Sequence, residues 1–271
     1  MFATINETQI FYTIDMPAKN PENAPWVTFI TGITNDTTMW DGQIGALKDQ
    51  FCILRFDLPG QGESQVRQGD YSVETLAQDT LGLLDHLKIA KTNLVALGLG
   101  SPIAMRLAID HPERVISLAP CCCRAKMEPE FAAMWHKLME SVKQNGIASI
   151  VENTAQRWFS EDFKVAYPKV IDRVRQMISK TSVEGYLGNV SAFLGTNLDH
   201  EVHKISIPTI FIGGAEDKVG GPEHIMAAIA AKVKNSIHAL VPHAAHIANL
   251  QNEEGFNQIL KDFLEKQNKI V

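Results

Sequence analysis

The stretch that decides the fold is Asn93–Pro102, which reads NLVALGLGSP. Its first five residues form a short apolar run typical of a buried strand, and two glycines follow before a segment with helical spacing. A dinucleotide-binding loop requires G-x-G-x-x-G, but Ile103 occupies the third glycine position. That loop also needs an acidic residue about 20 positions later, at the end of the following strand, and none stands there. We therefore exclude a nicotinamide-binding loop.

A sharp strand-to-helix turn that presents a nucleophile fits the same stretch better. Such a turn needs small residues two positions before and two positions after its apex, and Ala96 and Gly100 supply them. The apex is then Gly98, which has no side chain. Ser101 is no substitute, because Pro102 follows it and lacks the N–H group that an oxyanion needs. The sequence predicts a nucleophile turn with an empty apex.

Strands and helices alternate on both sides of this turn. The predicted strands are 26–31, 51–55, 93–97, 115–119, 209–212 and 236–240. A hairpin in the first fifteen residues precedes them, and helical spacing marks 73–87, 103–109 and 256–263. Near-continuous apolar strands separated by helices are typical of a mostly parallel, doubly wound α/β sheet.

Residues 127–198 differ from the rest of the chain, because they contain no convincing buried strand and have helical spacing throughout. An insertion between two strands would lie over the carboxyl edge of the sheet, where open α/β sheets bind ligands. We expect a helical lid at 127–198 and a core made of 1–126 and 199–271.

The composition is that of an ordinary globular protein, with 45% hydrophobic and 21% charged residues among 271. The 25 Lys and Arg against 31 Asp and Glu give a net charge of −6, which argues against nucleic acid as a partner. No apolar stretch approaches the roughly 20 residues that span a bilayer. The N-terminus also lacks the features of a signal peptide. We expect a cytoplasmic monomer or homodimer with no membrane partner.

The four cysteines favour a reducing compartment. Cys52 stands alone, and Cys121, Cys122 and Cys123 are consecutive. Neighbouring cysteines are poor disulfide partners, and the C-x-x-C spacing of zinc sites is absent. We expect neither a metal ion nor a cofactor.

Further motifs stand along nearly the whole chain. Three of them are 39–47 (MWDGQIGAL), 55–64 (RFDLPGQGES) and 107–115 (LAIDHPERV). Four more are 157–159 (RWF), 181–186 (TSVEGY), 214–217 (GAED) and 242–249 (PHAAHIAN). Together they resemble the α/β-hydrolases, and the motifs at 157–159 and 181–186 resemble the 3-oxoadipate enol-lactonases in particular. The resemblance implies an α/β-hydrolase fold with an inserted lid and a small carboxylated lactone as substrate.

By this resemblance Asp217 is the acid after the sixth core strand, and His246 is the general base in the last loop. The chain order of Gly98, Asp217 and His246 is the order that this fold uses for nucleophile, acid and base. The chemistry agrees, because a carboxylate on one imidazole nitrogen fixes the tautomer and stabilises the imidazolium. The backbone N–H groups of Ile33 and Leu99 would form the oxyanion hole, whatever their side chains.

Candidate substrate contacts come from the lid and from a strand end. Arg157 suits a carboxylate, Trp158 supplies an apolar wall, and Trp135 is a further candidate. An amphipathic lid helix with Trp158 and Phe159 packed inward is an equally good interpretation of this motif. Thr31 ends the first parallel strand beside the expected oxyanion hole, although its hydroxyl could equally be satisfied locally.

Cys122 and Cys123 follow the strand at 115–119, close to the expected pocket. A thiol near His246 could act as a displaced nucleophile if its pKa were lowered. Cysteine is also among the most buried residue types, so burial at a strand end is the simpler interpretation.

Three hypotheses for function stay open on this sequence. The first is a hydrolase of a small carboxylated lactone, ester or amide in which His246 and Asp217 activate water. The second is a non-hydrolytic enzyme, such as an isomerase, lyase or cofactor-free oxygenase, that uses His246 as a base. The third is a catalytically silent protein that binds a ligand in the same pocket, since Gly98 also relieves backbone strain at the apex.

Overall fold

The structure is a computed structural model that describes residues 1–69 and 71–268. Its strands are β1 (Phe2–Ile5), β2 (Thr8–Asp15), β3 (Trp26–Ile30), β4 (Cys52–Phe56), β5 (Thr92–Leu97), β6 (Val115–Cys121), β7 (Ile210–Gly214) and β8 (Ile237–Val241). Its helices are α1 (Asp41–Leu47), α2 (Val73–His86), α3 (Gly100–Asp110), α4 (Pro129–Asn145), α5 (Ala148–Trp158), α6 (Glu161–Ala166), α7 (Pro168–Ser179), α8 (Val183–Leu194), α9 (Glu223–Ala230), α10 (Ala248–Gln251) and α11 (Glu253–Asn268).

One sheet joins these strands in the order β1-β2-β4-β3-β5-β6-β7-β8. The β1–β2 hairpin turns at Asn6 and Glu7, whose φ angles of 46° and 65° fit a tight two-residue turn. β2 runs antiparallel to β4, and the pairs from β4 to β8 are parallel. The predicted mostly parallel α/β sheet is confirmed.

Helices cover the sheet on both faces, which explains why its strands are apolar nearly throughout. Along β5, Leu94 and Ala96 pack into an apolar cluster with residues of α2 and α3. Val95 and Leu97 point the other way, into a second cluster with residues of α11. The alternation follows from the two-residue repeat of a strand, and it makes the sheet doubly wound.

The predicted strands differ from the observed ones by one or two residues at their ends, and all six lie in the parallel part of the sheet. Five helices, α4 to α8, fill the chain between β6 and β7. Helical spacing predicted three of them, over 131–142, 147–158 and 167–179, which correspond to α4, α5 and α7, and α6 and α8 are additional. Within 1–69 and 71–268, no helix is both long and apolar enough to cross a bilayer.

Candidate active site

Gly98 forms the apex of the turn between β5 and α3. Its φ of 54° lies in the left-handed region that favours glycine. A Cβ atom placed on Gly98 would lie 3.6 Å from Cα of Gly32, which is an ordinary contact, so the apex has room for a side chain. A Cβ atom on Gly100 would lie 2.6 Å from the carbonyl oxygen of Ile30, so α3 approaches β3 as closely as glycine permits.

Ser101 has a structural place beside this turn. Its fully buried hydroxyl donates to the carbonyl oxygen of Ala96 at 2.8 Å. The hydroxyl oxygen of Ser101 in turn accepts the backbone N–H of Cys121, at 3.2 Å. The hydroxyl therefore ties the end of β5 to β6 and does not stand at the apex.

Asp217 and His246 form a buried pair on the loops that follow β7 and β8. Nδ1 of His246 lies 3.1 Å from Oδ2 of Asp217. Because an ionised carboxylate only accepts hydrogen bonds, Nδ1 carries the proton and Nε2 has the free lone pair. Nε2 has no hydrogen-bond partner among the described residues.

Three backbone N–H groups fix the carboxylate of Asp217. Oδ1 accepts from Val219 at 2.7 Å and from Gly220 at 3.1 Å, and Oδ2 accepts from Gly221 at 2.8 Å. Burial acts to raise the pKa of Asp217, but the charge of His246 and these hydrogen bonds outweigh it and lower that pKa below its ordinary value. The acid of the pair stays ionised and oriented.

A cavity lies between this pair and the inserted helices. From the core it is lined by Ile33, Gly98, Leu99 and His246, and from α4 and α8 by Phe131, Trp135 and Phe193. The space that a water molecule can enter is about 40 Å³. That volume holds very few water molecules beside the apex of the turn.

Two backbone donors belong to the wall of this cavity. The N–H groups of Ile33 and Leu99 donate to no acceptor within the described part of the chain. Each belongs to a loop at the carboxyl edge, Ile33 after β3 and Leu99 after β5. A carbonyl oxygen in the cavity could accept both.

Three aromatic rings form the roof of the cavity. Trp135 stands edge-on to Phe193, with ring centroids 5.5 Å apart, and Phe131 stands edge-on to both. Such edge-to-face packing is favourable. Nε1 of Trp135 is buried without a partner.

Arg157 is in the last turn of α5, where it does not line the cavity and has no charged partner. Its guanidinium reaches Sδ of Met134 at 3.1 Å, and no described carboxylate lies within 4 Å of it. Burial lowers the pKa of Arg157, and the buried hydroxyl of Tyr186, one of the groups that influence it, also lacks a partner. An unpaired, half-buried guanidinium is costly unless an anion joins it.

The other residues singled out in the sequence lie around the cavity wall, not on it. The ring of Trp158 is 6.2 Å from that of His246, centroid to centroid. Thr31 is fully buried, and its hydroxyl has no partner. Cys122 and Cys123 are buried within the protein, and Sγ of Cys123 contacts Sδ of Met226 at 3.7 Å.

Cys122 sits behind the Asp217–His246 pair. Its Sγ, an oxygen of Asp217 and a ring nitrogen of His246 all lie within 4.8 Å of one another. Burial raises the pKa of the Cys122 thiol well above its ordinary value, and the charge of Asp217 adds to the effect. The carboxylate already accepts three N–H groups, so this cluster is better suited to hydrogen bonding than to a metal ion.

Sequence reasoning missed three residues of the cavity wall: Asn35, Phe131 and Phe193. Asn35 carried a usable signal, because it stands in the same loop as the predicted donor Ile33. Phe131 and Phe193 carried none, because helical spacing does not say which edge of the sheet a helix meets.

This chain is similar to known proteins over both the core and the inserted helices. Residues 25–253 match the family model described as alpha/beta hydrolase fold. The 3-oxoadipate enol-lactonase 1 of Acinetobacter baylyi is 29% identical over 259 residues, which are 93% of each chain. The solved enol-lactonase of Burkholderia xenovorans LB400 is 30% identical with a TM-score of 0.92, over 98% of this chain and 100% of that one. A thermophilic esterase of Thermogutta terrifontis, solved with malate bound, is 27% identical with a TM-score of 0.90, over 98% of each chain.

Proposed function

Because the chain belongs to the α/β-hydrolase family, we propose that it hydrolyses a small carboxylated lactone, ester or amide without a seryl intermediate. One observation carries the proposal: the base and its acid are complete, while the apex that would hold a nucleophile is open space. Nδ1 of His246 bonds to Asp217 at 3.1 Å, and Nε2 is free. Gly98 lines the cavity opposite Gly32 and contributes no side chain to it.

In the proposed reaction a water molecule occupies the space beside Gly98. As its oxygen forms a bond to the substrate carbonyl carbon, its proton passes to Nε2 of His246, and Asp217 stabilises the imidazolium. The carbonyl electron pair moves onto oxygen, where the N–H groups of Ile33 and Leu99 would hold it. When that pair returns, the bond to the leaving group breaks, and His246 gives the leaving group its proton.

The rate acceleration available without a covalent nucleophile restricts the class of substrate. Hydrolases stripped of a triad member still accelerate by roughly 10³–10⁴-fold, through the oxyanion hole and binding. A general base that acts on water contributes roughly 10²–10⁴-fold more. Activated substrates with a good leaving group, such as an enol-lactone or an activated ester, therefore suit this site best.

The carboxylate on the substrate would pair with Arg157, whose guanidinium has no anion beside it. Trp135 would provide an apolar wall, whereas Trp158 and Thr31 lie outside the cavity wall and would act only through the residues that line it. The enol-lactonase names of two relatives and the malate bound to a third support a small carboxylated ligand. Cys122 and Cys123 would contribute shape only, since both thiols are buried.

A substrate of that size needs more room than the present cavity offers. We propose that 127–198 act as a lid over a core of 1–126 and 199–271, of which residues 269–271 lie outside the described part. Phe131, Trp135 and Phe193 close the cavity from this side, and their displacement would open it. The lid would then admit the substrate and exclude bulk water during the reaction.

The deciding experiment measures turnover of 3-oxoadipate enol-lactone and of a panel of small activated esters. It compares the unmodified protein with Gly98→Ser, Gly98→Ala and His246→Ala. His243→Ala is the matched control, because His243 is a highly exposed histidine three residues from His246. We expect His246→Ala to lower kcat at least about 100-fold, Gly98→Ala to lower it by filling the water site, and His243→Ala to change nothing.

The unmodified protein should also resist serine-directed phosphonates, and the Gly98→Ser variant should gain a covalent adduct with them. Solvent ¹⁸O in the product would identify hydrolysis and exclude an isomerase. If only Gly98→Ser turns over substrate, the protein is a silent ligand-binding member of the family. Turnover that survives His246→Ala would contradict the proposal outright.

A further inference from the structure

Two glycines face each other across the site. A Cβ atom on Gly98 would meet Cα of Gly32 at 3.6 Å, and a Cβ atom on Gly32 would lie 2.7 Å from Oδ1 of Asn35. The carboxamide of Asn35 therefore fills the space that a side chain at position 32 would take. It does so on the wall of the same cavity that Gly98 and His246 line.

Asn35 is a buried polar side chain without a partner. Only 2% of its surface is exposed, and its Nδ2 has no hydrogen-bond acceptor in the structure. Its Oδ1 accepts no hydrogen bond from the described residues either. The buried Nδ2 without a partner costs about 1–3 kcal/mol, and a small polar molecule in the cavity would offset this cost.

We infer that Asn35 positions the attacking water beside Gly98, an inference that rests on the proposed function. Without a side chain at the apex, Nε2 of His246 alone would orient that water, by taking one of its two hydrogens. Oδ1 of Asn35 accepts the other hydrogen, which turns the oxygen lone pair toward the substrate carbonyl. The carboxamide carries both an acceptor and a donor, so it can also give a hydrogen bond to the hydroxyl that the water becomes.

Asn35 would thus orient the attacking oxygen, which in a hydrolase with a side-chain nucleophile is oriented by its covalent bond to the protein. A fixed nucleophile owes much of its rate advantage to orientation, and a misplacement of 1 Å can cost about 100-fold. Two hydrogen bonds, to Asn35 and to His246, fix the water in direction and distance. The open space at Gly98 would then hold the water molecule, and Asn35, next to Gly32, would orient it.

The first test compares steady-state kinetics of Asn35→Leu, which has similar shape but no polar atom, with the unmodified protein. We expect kcat to fall between about tenfold and 100-fold, with KM within about twofold, because the water is lost and the substrate contacts are kept. Asn35→Ala serves as the second variant if the leucine prevents folding. Asn145→Leu, on the exposed last turn of α4, is the matched control.

The second test does not need turnover. A trifluoromethyl ketone that carries a carboxylate is hydrated in water, and its two geminal hydroxyls can mimic the oxyanion and the attacking water. Binding of this hydrate, followed by ¹⁹F NMR, should be about tenfold weaker in Asn35→Leu and unchanged in Asn145→Leu.

The two tests separate this inference from the proposed function. If no substrate is turned over but hydrate binding depends on Asn35, the proposed function fails, whereas the hydrogen bond from Asn35 to a hydroxyl beside Gly98 stands. If His246→Ala is inactive while Asn35→Leu keeps kcat within twofold and binds the hydrate normally, the role of Asn35 is wrong. Failure of the unmodified protein to bind the hydrate at millimolar concentration would also overturn it.

Discussion

Gly220 lies directly against the imidazole of His246, so close that a Cβ atom on it would collide with Cε1 and Nδ1 of the ring. The same glycine donates its N–H to Oδ1 of Asp217 at 3.1 Å. One residue thus holds the acid through its backbone and leaves room for the base through its missing side chain. This relationship explains why the loop after β7 needs a glycine between its acid and α9.

The first prediction is that Gly220→Ala disables the site without unfolding the protein. The added methyl group should push the His246 ring away from Asp217, and we expect kcat to fall by at least about tenfold. Gly45→Ala is the matched control, because Gly45 is on the exposed face of α1 with nothing within 4 Å of an added Cβ atom. A helical Gly→Ala change should raise stability by roughly 0.5–1 kcal/mol. Steady-state kinetics and thermal unfolding of both variants check this, and full activity of Gly220→Ala would contradict it.

The second prediction concerns the charge on the substrate. Arg157→Met should lower kcat/KM for a carboxylated substrate between about tenfold and 100-fold, since a hydrogen bond to a charged group contributes about 1.5–3 kcal/mol. The methyl ester of the same substrate should change by less than about threefold. Arg175→Met is the control, because Arg175 is partly exposed and pairs with Glu152. An equal loss for both substrates would show that Arg157 acts through packing alone.

The third prediction is that no cysteine near the pair acts as a nucleophile. Cys121, Cys122 and Cys123 are buried, and burial raises the pKa of Cys123 to about 12. Cys122→Ala should therefore keep kcat within about threefold. Alkylation by iodoacetamide at pH 8, followed by mass spectrometry, should modify these three thiols only after denaturation. Rapid labelling of Cys122 in the native protein, together with loss of activity, would reverse this conclusion.

The fourth prediction is a pH dependence of stability caused by Asp57. Burial raises the pKa of Asp57 from 3.8 to about 7, although its oxygens accept the N–H groups of Thr37 at 2.6 Å and Glu63 at 2.9 Å. Between about pH 4 and pH 7 the carboxyl group of Asp57 is therefore protonated in the folded protein and ionised in the unfolded chain. Unfolding in that range releases a proton, so rising pH lowers the free energy of unfolding by up to about 1.4 kcal/mol per pH unit.

Urea unfolding of Asp57→Asn and of the unmodified protein at half-unit steps from pH 4.5 to pH 8 measures this contribution. The asparagine cannot titrate, so its curve should be flatter between pH 4.5 and pH 7 and should run parallel to the other above pH 7. The test compares how steeply the free energy of unfolding changes with pH in the two proteins. Its absolute value is not compared, because replacing the carboxyl group changes stability at every pH. Equal slopes in the two proteins would contradict the raised pKa.

The α/β-hydrolase fold was predictable because each parallel strand is buried on both faces and reads as an apolar run. Strand ends were less predictable, since the apolar run and the hydrogen-bonded ladder do not stop at the same residue. The run from Phe51 to Arg55, for example, corresponds to a strand from Cys52 to Phe56. The hairpin turn at Asn6 and Glu7 was visible because such turns need residues that tolerate positive φ.

Some residues of the candidate site were predictable from the sequence, and others were not. Gly98, Asp217 and His246 stand in motifs with fixed places relative to strand ends, so the sequence indicated them together. Phe131 and Phe193 depend on how the inserted helices fold back over the sheet, and their spacing describes only an apolar face. Asn35 stands in the loop of the predicted donor Ile33, but its place opposite Gly98 depends on Gly32 and Gly98, which face each other only after folding.

The parallel order of the sheet has a consequence for how the protein acquires its activity. The walls of the cavity come from loops after β3, β5, β7 and β8 and from helices inserted between β6 and β7. No fragment contains enough of these segments to form the cavity, and contacts between distant segments form slowly because long loops must close first. Activity should therefore return late during refolding, after most helical signal has recovered. A fragment cut between β6 and β7 should regain function only by reassembling with its other half.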